Sequence, residues 1–138
     1  MQSKPIILAS AGIVFLFVSA EPACANWSIR TLTNHTGQII SVDYPVPPGA
    51  RRTYGDLGVG GDAVVAIPGF GVVTFEDTGH KPYCGPYWSV AITYNGSQWG
   101  MFYDGGGTVD MIVNADGTLG FTPGPGTQVV SGTGPPVC

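Results

Sequence analysis

Charge is scarce in this chain. Only 10% of its 138 residues are Asp, Glu, Lys or Arg, against about 25% in an ordinary soluble domain. The balance is acidic, with five basic and nine acidic side chains and a formal charge of −4. A chain so composed has no basic stripe with which to neutralise phosphates, which excludes sequence-independent nucleic-acid binding and disfavours an anionic membrane surface. Solubility then rests on Ser, Thr, Asn, Gln and backbone amides, a surface suited to neutral polar partners.

Helical periodicity is missing too. Beyond residue 25 no window places apolar residues at helical spacing behind a cap, and glycine (22) and proline (12) interrupt the longer runs. Catalytic signatures are equally absent: there is no G-x-S-x-G and no H-E-x-x-H, and His35 and His80 are too far apart for metal-ligand spacing. No cofactor or metal is called for.

Cysteine is sparse, with three in all. Cys24 falls inside MQSKPIILASAGIVFLFVSAEPACA, which has the layout of a secretory signal peptide: Lys4, an apolar run over residues 5–20, and the small-residue ending Ala23-Cys24-Ala25. The run is too short for a comfortable transmembrane segment. Glu21 stands where a lipoprotein signal needs an aliphatic residue. Cutting after Ala25 leaves an even pair, Cys84 and Cys138, whereas cutting after Ala20 strands Cys24 as an odd thiol. The expectation is residues 1–25 as signal and residues 26–138 as one secreted β domain, extracellular or periplasmic, with a Cys84–Cys138 disulfide. Closing that loop would contribute about 4 kcal/mol in the chain-entropy model. It would also pin the Pro/Gly-rich tail, residues 122–138.

What remains is a succession of short β-rich runs bounded by turn residues, which predicts an all-β fold: a single antiparallel β-sandwich, or an open barrel, ending in a four-strand meander. Residues 27–32 and 38–44 read as a pair joined through TNHTG, and PVPPGARR as a rigid extended connection. Residues 63–67 and 72–75 read as a hairpin around Pro68-Gly69-Phe70-Gly71. The meander runs through YWSVAITY, the Asn95-Gly96 turn, QWGMFY, the Gly105-Gly106-Gly107 turn, TVDMIV, and Asn114-Ala115-Asp116-Gly117 leading to Leu119 and Phe121.

Three constellations carry chemistry. The first is aromatic. If Phe102 and Ile112 take the core, Trp99 and Tyr103 stand outward as a platform, with Asn95 and Asp104 as hydrogen-bonding neighbours. Flat rings stack on the C–H face of a sugar while short polar side chains take its hydroxyls. The second is Asp104, Asp110 and Asp116, an oxygen-rich set that suits calcium chemically but matches no EF-hand spacing; each also has a local role in a turn or strand. The third is EDTGHK, where Glu76, Asp77, His80 and Lys81 supply acid–base groups without a nucleophile. Three sequons, at Asn26, Asn34 and Asn95, would mark surface positions in a glycosylating source.

These features predict a secreted non-enzymatic recognition module for a glycan, a cell-surface ligand or another neutral polar group. The alternative is a secreted effector, an enzyme inhibitor or membrane-active toxin presenting PGFG or KPYCGPY. A small secreted hydrolase comes third.

Overall fold

A computed structural model of the chain describes residues 26–57, 61–80 and 87–132. Residues 1–25, expected as a signal peptide, Lys81, Cys84 and Cys138, and with them the expected disulfide, lie outside the described residues, as do the side chains of Asp56 and His80.

The described residues hold nine strands and no helix: β1 (Asn26–Asn34), β2 (Arg51–Leu57), β3 (Ala63–Ile67), β4 (Gly71–His80), β5 (Trp88–Tyr94), β6 (Ser97–Tyr103), β7 (Gly106–Val113), β8 (Leu119–Pro123) and β9 (Thr127–Ser131). They form a five-stranded sheet in the order β9-β6-β5-β4-β3 and a four-stranded sheet in the order β2-β1-β7-β8. Alternation along each strand sends one row of side chains between the sheets. Trp27, Ile29 and Leu32 meet Val109, Met111 and Val113 from one side, and Val73, Phe75, Val90, Ile92, Met101 and Tyr103 from the other, all essentially buried. Trp27 stacks on Phe75 with ring centroids 5.4 Å apart. Ile29 and Leu32 both point inward despite odd spacing because the register shifts between Ile29 and Thr31, a bulge that rephases β1.

The fold is the predicted sandwich, with local differences. The four strands of the last stretch form where alternation places them, but they divide between sheets. The β5–β6 hairpin belongs to the five-stranded sheet and the β7–β8 hairpin to the four-stranded one, the chain crossing at Asp104 and Gly105. One pair is parallel: β1 runs alongside β7 from Asn26↔Gly106 to Asn34↔Val113. No strand forms over residues 38–44, where two isolated bridges stand instead, Ile40↔Val46 and Ser41↔Ala66. The partner of β1 is β2, beginning with the two arginines of PVPPGARR. Thr127–Ser131, in the tail, adds to the sheet by pairing with β6.

The 35–50 segment is held by Asn34, which is fully buried. Its Nδ2 donates to the carbonyls of Gln38 (2.7 Å) and Val46 (2.9 Å), and its Oδ1 accepts from the Thr36 amide (2.9 Å) and hydroxyl (2.7 Å). The reading of this sequon as a surface site is therefore overturned: its amide is consumed by four internal bonds, the pairing that burial of a polar group demands.

Candidate functional site

Three turns meet at one end of the sandwich. The β3–β4 turn carries Pro68, Gly69 and Phe70, the β5–β6 turn Asn95 and Gly96, and the β7–β8 turn Asn114 to Thr118. Each needs a left-handed backbone: Gly69 has φ 85°, Gly96 81° and Gly117 85°, and Asn95 tolerates φ 49° as asparagine does. Side chains from one turn tie down the next. Asn95 Nδ2 donates to the Phe70 carbonyl at 2.9 Å. The Tyr94 hydroxyl crosses from the five-stranded sheet to donate to the Gly117 carbonyl at 2.6 Å. The Phe70 ring lies where a Cβ at Gly117 would sit, so the turns interlock only because residue 117 is glycine.

Between them lies a cleft of about 310 Å³, lined by Phe70, Tyr94, Asn95, Ser97, Trp99, Asp116, Gly117, Thr118 and Leu119. Trp99 is half-buried and is braced edge-on by Phe121, centroids 5.3 Å apart. Asp116 Oδ1 accepts from the Thr118 amide (3.0 Å) and hydroxyl (2.6 Å), and Thr118 is itself held by Asn114 Nδ2 at 3.0 Å. Those two bonds from Thr118 hold the Asp116 carboxyl below the usual carboxylate range. Burial, with the Asp116 charge nearby, pushes the Tyr94 hydroxyl above its usual pKa. Among the described residues of the lining, Asp116 is the only ionisable carboxylate and no basic side chain joins it. A larger recess of about 410 Å³, lined by residues that include Ser41, Asp43, Leu57 and Asp62, contains no aromatic ring to stack a ligand.

Two of the four residues read from the sequence as ligand-binding, Asn95 and Trp99, line the cleft. Tyr103 and Asp104 do not. Tyr103 is fully buried, so the exposed Trp99–Tyr103 platform is corrected: it is Trp99, Met101 and Tyr103 that face the core, and Phe102 that faces outward. The reason lies at Gly100, whose missing side chain leaves space on the outer face for the Phe102 ring to fold over it. Phe102 is thereby shielded without joining the core. Asp104 sits in the turn at the opposite end of β6, where its amide donates to the Gly126 carbonyl at 3.3 Å. The seven residues of β6, at about 3.4 Å each, put it roughly 24 Å from the Asn95-Gly96 turn.

Sequence reasoning missed Phe70, Tyr94, Asp116 and Thr118 as neighbours. The available signal was that PGFG, YNG and NADG each end an alternating run with an aromatic or a short polar residue beside glycine.

The three aspartates do not converge. Asp104 and Asp116 lie at opposite ends of β7, and Asp110, on the outer face between them, is bound by Arg30 (2.6 and 3.2 Å) and the Thr31 hydroxyl (2.7 Å). Burial pulls the Asp110 pKa upward, but the Arg30 and Thr31 bonds and the Arg30 charge outweigh it and leave the carboxyl below its ordinary value. Among the described residues no group of three or more His, Cys, Asp or Glu side chains is placed to hold a metal ion. Glu76 is exposed on β4, and Asp77 beside it accepts from the Gly79 amide at 2.8 Å. His80 and Lys81, the remaining members of that set, fall outside the described side chains. No described helix is long and apolar enough to cross a membrane.

Comparison with known protein families, curated proteins and solved structures finds no match to this chain.

Proposed function

We propose that the domain is a non-enzymatic recognition module that takes a neutral polar ligand, a small sugar foremost, in the cleft between the three turns. One observation carries the reading: a braced, half-exposed indole shares a cleft with Asn95, Ser97, Asp116 and Thr118, short side chains able to meet hydroxyl groups. Ring stacking against C–H groups and hydrogen bonds at the rim are what a sugar requires. The volume lies at the small end of ligand sites, which run from about 300 to 1,000 Å³, so a short terminal sugar fits better than a long chain. Export of residues 26–138 and a Cys84–Cys138 bridge belong to the same reading, since such a module acts on ligands outside the cell.

The test is a glycan-array screen of the exported protein followed by titration of the best ligand into wild type and Trp99→Ala. Wild type should bind and Trp99→Ala should lose binding while keeping its circular-dichroism spectrum. Unchanged affinity in a folded Trp99→Ala would overturn the assignment of the cleft. A second reading, an effector presenting the PGFG turn, draws on Phe70, which remains 38% exposed at the rim. Capture of a protein partner lost in Phe70→Ala, with no sugar bound by wild type, would favour it.

A further inference from the structure

We propose that, among sugars, the cleft prefers an amino sugar, a hexose bearing a free ammonium group, over its N-acetylated or acidic counterparts; this rests on the reading of the cleft as a sugar site and adds one cationic group to the neutral ring which that reading describes. The argument begins with charge placement. Asp116 contributes an exposed carboxylate whose Oδ1 accepts from Thr118 and which keeps acceptor capacity for a ligand. A charged acceptor at the rim of a cleft attracts a cationic donor and repels a carboxylate or sulfate.

Among the described residues the lining provides no countervailing cation. Of the three described arginines, Arg51 and Arg52 sit on β2, at the opposite edge of the four-stranded sheet from β8, and Arg30 sits on β1, beside β7. With strands about 4.8 Å apart, the backbones of β2 and β8 are roughly 14 Å from each other. Arg30 is moreover engaged by Asp110, and Arg52 lies over the Tyr44 ring, 5.9 Å from its centroid.

Aromatic faces add to the preference. Phe70 and Trp99 open on the same cleft as Asp116, and π faces attract an ammonium group that the carboxylate has drawn in. A quaternary ammonium ligand would use the rings and the carboxylate alone, and would make no hydrogen bond to Asn95, Ser97 or Thr118 beyond those that already tie the turns. A ring bearing both hydroxyls and an ammonium group uses all of them.

The experiment titrates the exported protein with three short oligomers: of 2-amino-2-deoxyglucose, of its N-acetyl form, and of galacturonate. At low salt the amine oligomer should bind about five-fold tighter than the N-acetyl form, the scale of one solvent-exposed ion pair, and galacturonate weakest. The gap should close at about 1 M salt, where screening reaches within about 3 Å. It should also close in Asp116→Asn, whose side-chain oxygen still accepts from Thr118 and so keeps the turn; an unchanged circular-dichroism spectrum shows that this variant is folded. Equal affinity of amine and N-acetyl oligomers for wild type overturns the amino-sugar inference and leaves the sugar site standing. A preference that survives in Asp116→Asn, or tighter binding of galacturonate, overturns it as well. Failure of wild type to bind any of the three or any glycan on an array removes the sugar reading, and this inference with it.

Discussion

Trp99 and Tyr103 lie four residues apart on the same face of β6, yet the first stands half-exposed in a cleft and the second is completely enclosed. Both rings point between the sheets, so strand alternation does not distinguish them. The difference comes from what crosses each end of the sandwich. Around Tyr103 the opposing strand, β7, presents Gly107, and a Cβ there would lie 2.5 Å from the Tyr103 Cβ. Absence of that one atom lets the backbone of β7 close over the ring. Around Trp99 the opposing side is a turn, Asn114 to Thr118, whose bulk is held off by the Phe70 ring seated on Gly117. Glycine thus closes one end of the molecule and props the other open.

The largest expected effect tests that contrast directly. Tyr103→Ala should cost about 3 to 5 kcal/mol in urea denaturation, the range for truncating a buried aromatic. Trp99→Ala should cost about 1 to 2 kcal/mol, because part of the indole surface is already in water and the Phe121 contact is the main one lost. Equal losses would mean that Trp99 is core and that the cleft is an accident of packing.

How much of this could be read beforehand differs by level. The strands with clean alternation were legible: Trp88–Tyr94 and Ala63–Ile67 form as the pattern predicts. Arg51–Leu57 was not, because Arg-Arg-Thr-Tyr-Gly carries no apolar alternation; only Tyr54 and Leu57 turn toward the core. Thr127–Ser131 was hidden among prolines and glycines, and its order is borrowed from β6 through pairing from Thr127↔Tyr103 to Ser131↔Trp99. Residues 38–44 looked like a strand, but Asn34 draws the Gln38 and Val46 carbonyls onto its own amide and folds the segment into a loop instead. The candidate site was half legible for a similar reason. Trp99 and Asn95 could be named from their types, whereas Phe70, Asp116 and Thr118 join them only through the division of two hairpins between two sheets, which no local pattern encodes.

A smaller pair of effects sharpens the role of glycine. Gly107→Ala should destabilise by about 3 kcal/mol, the upper end of overpacking costs, since the Tyr103 Cβ and ring it meets are hemmed in. Gly117→Ala should cost about 1 to 2 kcal/mol: the backbone there, at φ 85°, resists a side chain, but the Phe70 ring it displaces has solvent to move into. Ligand binding should respond in the opposite order, with Gly117→Ala losing affinity through the displaced ring and Gly107→Ala retaining it in whatever fraction remains folded. A Gly117→Ala variant that binds normally would show that the interlocked turns do not shape the cleft.

The smallest effect has the opposite sign. The Tyr103 hydroxyl is buried without a hydrogen-bond partner, a state that costs free energy and is relieved by removing the group. Tyr103→Phe should therefore leave stability unchanged or raise it by up to about 1 kcal/mol. The same enclosure, followed by the negative charge of Asp77, pushes the Tyr103 pKa up to about 12, while an unfolded tyrosine titrates near about 10. Below about pH 10 both states hold the proton and no stability depends on it. Between there and about pH 12 the unfolded chain releases a proton that the folded protein keeps, so stability falls as pH rises. Urea midpoints measured from pH 8 upward should decline less steeply in Tyr103→Phe than in wild type; Tyr54 and Tyr94, whose pKa values are also raised, keep the slope from vanishing. If Tyr103→Phe is destabilised by more than about 1 kcal/mol, the hydroxyl has a partner in solution, and the closed end of the sandwich is held by a polar contact rather than by apolar enclosure alone.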